Sequence, residues 1–467
     1  MLRSWEIYLL LGEEKADFEM CTGKFPDAAH DEAFALYDLA LRSGVEFLDL
    51  EIHFPEARLR SIAKDKGHTK IVASHHDPKG QLAWGNNSWV PHYNRALMYG
   101  DIIKLVGVAT TQDDNMALLQ FKNWTKTQNK APVIAINMGR DGQKSRIENS
   151  FLTPVSHPAL PFKAAPGQLS AAEIRTALTL HGVIKPREFF LCGKPITQSK
   201  SPAMHNRAFK ATGLPYAYGL LETDNIADLE SMLDSSDFGG ASITIPLKID
   251  IIQHLDGISD DAQAIGAVNT VIADPSRKSK KHSGHHLTGH NTDWQGMSKV
   301  LEIAGAQPGN SQSGLVIGGG GTARAAIYTL HAMHYSPIYV LGRSSPKIRS
   351  LIKSFPEEYD LKSLTTDTEV KDIPQLPTIA IGTIPADKPI DPGMHQILEY
   401  IFSHSKEGIL LEMAYKPAVT PLMELAKTWT TIPGLEVLAG QGFYQFELWT
   451  GIMPSFEMLR EACGLKS

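Results

Sequence analysis

The chain has 467 residues, which is too long for one ordinary hydrophobic core and predicts two or three domains. Hydrophobic residues make up 42% of it and charged residues 21%, as is typical of a globular protein, and no apolar run approaches the roughly 18 residues of a membrane span. Without such a run we expect no membrane partner. The net charge of −6 provides no basic excess to neutralise a phosphate backbone, so we expect no nucleic-acid partner either.

Over the first third of the chain, short apolar runs alternate with segments of helical periodicity. This alternation predicts an α/β fold with parallel strands and outer helices, arranged as a barrel or an open sheet. The predicted strands are residues 45–52, 70–74, 101–108, 132–138 and 151–155, and the predicted helices include 31–43 and 115–128.

Polar side chains occur within or directly after these predicted strands. Lys104 lies in a nearly continuous apolar run, where a charged amine is costly, so we expect its pKa to fall toward that of a Schiff-base nucleophile. The alternative is a lysine without a catalytic role, whose ammonium reaches solvent from a strand end. Glu51, His76 and Arg146 follow other strands, and polar groups at successive strand ends are typical of a (β/α)8 barrel active site. A metal site at His75 and His76 is disfavoured because no third ligand has suitable spacing.

A boundary between domains is indicated near residue 182. Residues 169–187 predict a helix in which Ser170 and Glu173 form a capping box, followed by a break at Gly182 and Pro186. A second series of strands and helices begins at residue 189. Within it, the polar and basic segment 274–286 predicts a surface loop, and the Pro-rich segment 372–377 predicts a connection.

A glycine-rich turn follows the predicted strand 314–317 and opens a predicted helix, which is the order that a dinucleotide-binding fold requires. Glycines let backbone amides approach a pyrophosphate at a helix N-terminus, although a flexible glycine loop is the simpler alternative. The next strand ends at Arg343 and Ser344, where an NAD enzyme would carry an acidic residue, so the pattern favours NADP. A solvated surface arginine is the alternative for Arg343. The predicted cofactor-binding residues are Gly318, Gly320, Gly321, Thr322, Ala323, Arg343, Ser344 and Thr383.

Four polar clusters accompany this turn, at 193–202, 244–248, 266–270 and 289–293. In this order and spacing they resemble the shikimate dehydrogenase family, and most closely its version in the fungal pentafunctional aromatic-biosynthesis polypeptides (AROM), from about residue 189 to the C-terminus. The resemblance implies that Lys248 and Asp293 are the catalytic pair, and a lysine beside a carboxylate is suited to taking the hydroxyl proton while hydride leaves. Singly, each serine or threonine in these clusters is better explained as a turn or cap. The resemblance implies that the substrate is bound by Ser199, Ser201, Thr244, Asn269, Gln441 and Tyr415.

Residues 22–180 resemble type I 3-dehydroquinate dehydratase, again closest to the corresponding fungal domain. The resemblance implies that Lys104 forms an imine with the substrate ketone, that His76 moves the proton, and that Glu51 assists or orients His76. It also implies that Arg146 and Gln168 bind the substrate carboxylate and hydroxyls.

The N-terminal part departs from that family in its number of strands. A complete barrel has eight, whereas the sequence provides five strong strands and one further candidate at 7–11. The family's second strand ends in an arginine-containing loop, and residues 18–23 at that place contain no arginine. We therefore expect an incomplete, N-terminally truncated barrel with impaired dehydratase activity, through either a true truncation or a misplaced start.

Three widely spaced cysteines, Cys21, Cys192 and Cys463, favour a reducing compartment, and no signal peptide is indicated at the start, so we expect a cytoplasmic protein. The expected domains are a dehydratase-like barrel (1–182), a substrate lobe (187–310), a Rossmann NADP lobe (311–436) and C-terminal helices returning to the substrate lobe (437–467). The leading hypothesis is an NADP-dependent shikimate dehydrogenase fused to a dehydratase-like domain, acting on small molecules, with a homodimer compatible with the sequence. The alternatives are a monofunctional dehydrogenase with an inactive barrel and a repressor-type relative of the quinate pathway.

Overall fold

The computed structural model describes residues 30–157, 159–163, 165–309, 312–405 and 407–466. These residues form two compact units, which divide between Ile184 and Lys185. We call them the N-terminal unit and the C-terminal unit. The candidate strand at 7–11 and the loop at 18–23 lie outside the described residues.

The N-terminal unit is a parallel sheet with helices between its strands. Four strands lie side by side in chain order, and every neighbouring pair is parallel. The carboxyl ends of all four therefore meet at one edge, which is where active sites of such folds are built. The strands are β1 (Phe47–Glu51), β2 (Lys70–His76), β3 (Ile102–Val108) and β4 (Val133–Met138). The helices are α1 (His30–Arg42), α2 (Glu56–Asp65), α3 (Val90–Ala96), α4 (Gln112–Gln128), α5 (Gln143–Ile147) and α6 (Ala171–Leu180).

The predicted strand at 151–155 is wrong, because that segment satisfies its backbone locally. The Asn149 amide Nδ2 donates to the Phe151 carbonyl at 2.6 Å and to Thr153 Oγ1 at 2.9 Å. Leu152 has a φ of +43°, outside the extended region, and Pro154 has no N–H to donate. Just after this segment, Ser156 forms an isolated parallel bridge with Ser170.

The capping box predicted for α6 is confirmed. Ser170 accepts a hydrogen bond from the Glu173 backbone N–H, and the Glu173 carboxylate accepts one from the Ser170 N–H at 2.6 Å. The helix ends at Leu180, short of the predicted residue 187, because Gly182 adopts a left-handed φ of +70°.

The C-terminal unit contains two six-stranded sheets. The mixed sheet has the order β6-β5-β7-β9-β10-β8, with antiparallel pairing of β9 to β7 and to β10. Its strands are β5 (Arg187–Gly193), β6 (Tyr216–Glu222), β7 (Phe238–Ile243), β8 (Gly257–Ile258), β9 (Thr270–Lys278) and β10 (His285–His290). Its helices are α7 (Ser201–Thr212), α8 (Glu230–Leu233), α9 (Asp260–Ile265) and α10 (Asp293–Ile303).

The surface loop predicted at 274–286 is shorter than expected. Residues up to Lys278 extend β9, and β10 already begins at His285, which pairs with Lys278. The Asp256 carboxylate holds the connection in place by accepting hydrogen bonds from Ser279 and from the Lys280 and Leu287 N–H groups. Composition alone did not indicate this strand pairing, because the residues are polar and largely exposed.

The second sheet is entirely parallel, in the order β13-β12-β11-β14-β15-β16. From β11 the strands are added toward one edge of the sheet, through β12 to β13, and from β14 they are added toward the other edge. The boundary between β11 and β14 is therefore the topological switch point, where doubly wound folds bind dinucleotides. Its strands are β11 (Gly314–Ile317), β12 (Ile338–Leu341), β13 (Leu361–Leu364), β14 (Ile379–Gly382), β15 (Ile409–Glu412) and β16 (Thr430–Ile432). Its helices are α11 (Gly321–Ala332), α12 (Ser345–Lys353), α13 (Asp367–Lys371), α14 (Pro392–His404) and α15 (Pro421–Leu425), after which the chain continues into α16 (Gly434–Thr450) and α17 (Phe456–Cys463).

One hydrophobic core joins the elements around these two sheets. Ile265 of α9 and Met297 of α10 belong to the same buried cluster as Val316 of β11 and Ala326 of α11. Helix α16 packs against the mixed sheet, where the Trp449 indole N–H donates to the Val271 carbonyl at 3.0 Å. Among the described residues, no helix is both long enough and apolar enough to span a membrane.

Candidate active sites

An ion pair between Lys248 and Asp293 lies at the centre of the C-terminal unit's polar cluster. Lys248 follows β7, and Asp293 is the first residue of α10. Their side chains are only 14% and 9% exposed, so the pair is sheltered from solvent yet reachable. A proton shared between an amine and a carboxylate in such a position can be passed to or taken from a bound hydroxyl.

Asn269 fixes the orientation of this pair. Its Nδ2 donates to Asp293 Oδ1 at 2.8 Å, so both carboxylate oxygens are engaged, one by the amide and one by Lys248. Its Oδ1 in turn accepts from the Thr292 N–H and from Thr270 Oγ1, each at 2.7 Å. Because Asn269 is 2% exposed and held on both sides, the carboxylate has one favoured orientation.

Gln441 and Gln445 lie one turn apart on α16 and reach the same cluster. The Gln441 Oε1 accepts from Asn269 Nδ2 at 3.4 Å. Gln445 Nε2 donates to Thr270 Oγ1 at 3.0 Å and to the Asn269 carbonyl at 3.3 Å. Its Oε1 faces His205, whose pKa is lowered to about 3 by complete burial, so that this imidazole is neutral. Gln445 was not among the predicted site residues, although its i,i+4 spacing from Gln441 places both on one helix face.

The two predicted serines lie at the N-terminal end of α7. Ser199 Oγ donates to Ser201 Oγ at 3.2 Å and accepts from the Ser201 N–H at 3.2 Å. Hydroxyls at the N-terminus of a helix suit a carboxylate, because the helix dipole and the free amides favour negative charge. Thr244 lies after β7, with its methyl group against Gly193 at the end of β5. Tyr415 lies in the loop after β15, where burial raises its pKa. Within the described part of the chain, no hydrogen bond links either serine or Tyr415 to the Lys248–Asp293 pair.

The glycine turn between β11 and α11 has two different kinds of glycine. Gly318 has a φ of +134°, and a Cβ built there would lie 2.1 Å from Thr383 Oγ1, so the position is closed to any side chain. Thr383 is itself anchored, since its N–H and its hydroxyl both donate to the Ile317 carbonyl at 2.8 and 3.0 Å. At Gly320 and Gly321 an added Cβ would meet nothing within 4 Å. The N-terminus of α11 therefore opens onto free space in which a pyrophosphate fits.

The remaining predicted cofactor residues surround this opening. Thr322 and the buried Ala323 continue the first turn of α11. Arg343 follows β12, the strand beside β11, and is exposed. Gly342, just before it, lies against Gly318, since a Cβ at 342 would be 3.8 Å from the Gly318 carbonyl carbon. Ser344 is the N-cap of α12, and its side chain makes no capping bond. The arginine and the serine therefore stand at the carboxyl edge of the sheet, where the sequence predicted the 2′-phosphate.

The N-terminal unit gathers its own charged cluster at the carboxyl edge of its sheet. Lys104 of β3 forms an ion pair with Asp49 of β1, a partner that the sequence analysis did not assign. Glu51 of β1 contacts two histidines: its Oε1 forms an ion pair with His76 Nδ1, and its Oε2 lies 3.6 Å from His53 Nδ1. Burial tends to raise the pKa of Glu51, but hydrogen bonds from both histidines and the charge of Lys104 hold it below its usual range. Asp49 and Glu51 are two residues apart on β1, so strand alternation places them on one face, and His53 lies in the turn that follows the strand.

Arg146 and Gln168 lie in segments that follow β4 in the chain. Arg146, in α5 after β4, is 1% exposed, and burial lowers its pKa to about 10. Its Nε is buried without a hydrogen-bond partner among the described residues. An unpaired buried guanidinium is costly, and an anionic ligand would compensate it. Gln168 is also buried, next to Gly167, whose φ of +76° and close approach to the Gly139 carbonyl press this loop onto the end of β4.

Comparison with known proteins assigns both units. Residues 19–185 match the type I 3-dehydroquinase family, residues 191–271 the shikimate dehydrogenase substrate binding domain, and residues 434–463 the shikimate 5′-dehydrogenase C-terminal domain. The dehydroquinate dehydratase and shikimate dehydrogenase of S. pombe AroM is 38% identical, with a TM-score of 0.78, over 94% of this chain and 83% of that one. The chain belongs to this family of fused dehydroquinate dehydratases and shikimate dehydrogenases.

Shikimate dehydrogenases from bacteria match about three fifths of the chain. The Thermus thermophilus enzyme, solved with NADP(H) and shikimate, is 28% identical with a TM-score of 0.50, over 60% of this chain and 98% of that one. The Aquifex aeolicus enzyme is 27% identical with a TM-score of 0.50, over 59% of this chain and 97% of that one. The predicted α/β class and the fusion of the two domains are thus confirmed, and the matches favour the fused enzyme over both alternatives. The N-terminal unit is a dehydratase domain and the C-terminal unit a dehydrogenase domain.

Proposed function

We propose that the dehydrogenase domain interconverts 3-dehydroshikimate and shikimate, with Lys248 and Asp293 as its catalytic pair. The observation that carries this proposal is the sheltered Lys248–Asp293–Asn269 constellation in the same unit as an open glycine turn. In the oxidative direction Asp293 takes a proton from the Lys248 ammonium, and the Lys248 amine so formed takes the proton of the reacting hydroxyl. Asn269 and Gln441 hydrogen-bond the ring hydroxyls, and the Ser199 and Ser201 hydroxyls bind the carboxylate.

NADP is the cofactor that these residues fit. The glycines at 320 and 321 leave room for the pyrophosphate, Thr383 borders the turn, and the exposed Arg343 with Ser344 binds the 2′-phosphate. When bound, NADP accepts the hydride that leaves the substrate carbon. The residues of this chain orient the substrate ring and hold or release the hydroxyl proton.

The test is an assay of purified protein with shikimate and NADP, in which NADPH absorbance should increase. Lys248→Met keeps the aliphatic chain and removes the amine, so kcat should fall by about 100-fold or more, in the range of a lost acid–base group. Lys210→Met, at an exposed site on α7, should match the wild type. An inactive wild type, or a Lys248→Met enzyme as active as the wild type, would refute the proposal.

We propose further that the dehydratase domain uses Lys104 for imine chemistry on 3-dehydroquinate. The buried Arg146, whose Nε has no hydrogen-bond partner among the described residues, favours this, because it provides a charge for the substrate carboxylate. Asp49 is placed to accept the proton that Lys104 loses before it attacks the ketone carbon, with release of one water. His76, oriented by Glu51, then takes a proton from the adjacent carbon and passes it to the ring hydroxyl, which leaves as a second water. Hydrolysis of the imine consumes one water, releases the product ketone and restores the Lys104 amine, so that one water is lost overall.

Borohydride trapping tests this second activity against the expected impairment. With dehydroquinate present, reduction should attach the substrate carbon skeleton to Lys104, detectable as a mass increase on its peptide. Lys104→Met should give no adduct, whereas Lys126→Met, at an exposed site on α4, should give as much as the wild type. No adduct on wild-type protein would mean that the dehydratase domain is inactive in this chain.

Cytoplasmic localisation and a homodimer complete the proposal. The two cysteines that the structure describes, Cys192 and Cys463, are free and buried, as suits a reducing compartment. Sedimentation velocity of the purified chain tests the dimer, since a single species at the monomer mass would exclude it.

A further inference from the structure

Arg324 makes contacts that the dinucleotide and substrate assignments leave unexplained. It is the fourth residue of α11, one turn beyond the glycine turn, and is half-buried. Its guanidinium contacts two other segments: Nε donates to the Ile265 carbonyl, and Nη1 donates to Ser354 Oγ at 2.8 Å. Its Cζ also lies 4.9 Å from the centre of the Phe355 ring. A planar group with five donors can make these contacts together, and an ammonium cannot.

The contact with Ile265 connects Arg324 to the segment that holds the Lys248–Asp293 pair. Ile265 is the last residue of α9, where the free carbonyls attract a cation. Gly266 follows with a φ of +71°, and a Cβ there would lie 2.7 Å from Arg324 Nη2, so the guanidinium packs closely against this turn. Three residues later, Asn269 donates to Asp293. In between, the Val268 N–H donates to the Lys248 carbonyl at 2.8 Å.

The contact with Ser354 connects Arg324 to α12, the helix that follows the predicted 2′-phosphate residues. Ser354 is the C-cap of α12, the helix that begins at Ser345, immediately after Arg343 and Ser344. The guanidinium therefore touches the start of the 265–269 segment and the end of α12, and it is itself carried by the helix that follows the glycine turn. A cation in the first turn of a helix opposes the helix dipole, so these contacts with other elements have to hold it in place.

We propose that Arg324 is a positioning residue that couples the two ligand sites, so that dinucleotide binding raises the affinity for the shikimate-type substrate and the substrate raises the affinity for the dinucleotide. This rests on the proposed dehydrogenase function. Binding at the glycine turn orders the N-terminus of α11 and the loop before α12, both of which Arg324 joins to the segment that holds Asn269. By linkage, the factor by which each ligand strengthens the other is the same.

The experiment measures the NADPH dissociation constant of the full chain by fluorescence, with and without saturating shikimate. Both ligands are the reduced forms, so no turnover occurs. Shikimate should tighten NADPH binding by about fivefold or more in the wild type, the usual lower bound for coupled sites. In Arg324→Lys and Arg324→Met the effect should fall below about twofold, while the dissociation constant for NADPH alone changes much less. Arg349→Met, at an exposed site on α12, should keep the wild-type coupling.

Several outcomes would overturn the proposal. One is a wild-type protein in which the NADPH dissociation constant is the same with and without shikimate. Another is an Arg324 variant that folds and in which shikimate tightens NADPH binding as much as in the wild type. If the Arg324 variants fail to fold, Ser354→Ala, which removes only one acceptor, should still reduce the coupling, and unchanged coupling there counts against the proposal. A merely structural arginine would lower the melting temperature without moving this ratio. Intact coupling in a protein that does not oxidise shikimate would refute the dehydrogenase proposal alone, and a chain that binds neither ligand would refute both.

Discussion

Individual side chains in the dehydrogenase domain act through their neighbours, and Asn269 is the clearest case. Its amide nitrogen bonds Asp293 while its amide oxygen is held by the Thr292 N–H and by Thr270. The sequence identified Asn269 and Asp293 through their motifs, but it contained no signal that one orients the other. That relation depends on β9 and the start of α10 lying side by side, which only the folded sheet establishes.

Arg343 should determine which dinucleotide the dehydrogenase accepts. Arg343→Ala removes the charge placed for the 2′-phosphate, and a charge-assisted bond of about 1.5–3 kcal/mol corresponds to about a 10- to 100-fold higher KM for NADP. The KM for NAD, which has no such phosphate, should stay as it is. Steady-state kinetics with both dinucleotides measures the change, and Arg349→Ala provides the matched exposed control on α12. An equal rise in KM for both dinucleotides would contradict the assignment.

Glu412 should make the stability of the dehydrogenase domain depend on pH. It is 1% exposed at the end of β15, and burial raises its pKa from 4.5 to about 7, against hydrogen bonds from the Ala414 N–H and Thr420. The folded state thus keeps a proton that the unfolded state releases near pH 4.5, so stability should be lost as the pH rises from about 4.5 to 7. At about 1.4 kcal/mol for each pH unit, the loss is on the order of 3 kcal/mol.

Glu412→Gln imitates the protonated carboxyl and should remove most of this pH dependence. Thermal unfolding of the variant and the wild type, measured at pH 5.5 and 8.5, provides the comparison. The variant should be more stable than the wild type at both values, and the difference should be larger at pH 8.5 than at pH 5.5. Glu424→Gln, at an exposed site on the neighbouring helix α15, should behave as the wild type at both values.

At the scale of elements, the glycines of the turn between β11 and α11 have two different roles, one in the fold and one in ligand binding, and substitution to alanine can separate them. Gly318→Ala places a methyl group against Thr383 at a left-handed φ, so it should lower both the melting temperature and the NADP affinity, the latter by about 10-fold or more. Gly320→Ala meets no protein atom within 4 Å, so the fold should tolerate it, while the methyl group intrudes on the space for the pyrophosphate. Calorimetric titration and thermal unfolding distinguish the two. Gly257→Ala, also without a neighbour within 4 Å, should leave both properties unchanged.

Sequence patterns predicted an element correctly where a few adjacent residues determine its structure. The turn from β11 into α11 and the capping box of α6 each depend on a few adjacent residues, and both form as expected. Two of the errors, at 151–155 and at 274–286, have a different origin. Residues 151–155 have the composition of a strand but are held in a loop by Asn149, and the polar residues of the β9–β10 hairpin become strands only through cross-strand pairing. Periodicity does not encode such competition between local and tertiary hydrogen bonds.

At the scale of the whole molecule, the two active sites are built from separate sets of residues. Lys104 forms an ion pair with Asp49 within the dehydratase domain, and Lys248 forms one with Asp293 within the dehydrogenase domain. Family resemblance could assign a lysine to each domain from sequence, because each lies in its own ordered set of motifs. Their counter-ions were less evident, since Asp49 lies 55 residues from Lys104 and reaches it only through the strand order β1-β2-β3.

Since no residue is shared between the two constellations, their activities should be separable by reciprocal substitution. Lys104→Met should abolish the conversion of dehydroquinate while leaving the oxidation of shikimate by NADP within about twofold of the wild type. Lys248→Met should do the reverse, so that dehydroquinate is dehydrated and dehydroshikimate accumulates, even with NADPH present. An equimolar mixture of the two variants should then restore conversion of dehydroquinate to shikimate, because the intermediate can pass through solution from one protein to the other. Progress curves of NADPH consumption measure all three cases. A Lys104→Met protein that no longer oxidises shikimate, or a Lys248→Met protein that no longer dehydrates dehydroquinate, would contradict the separation of the two sites.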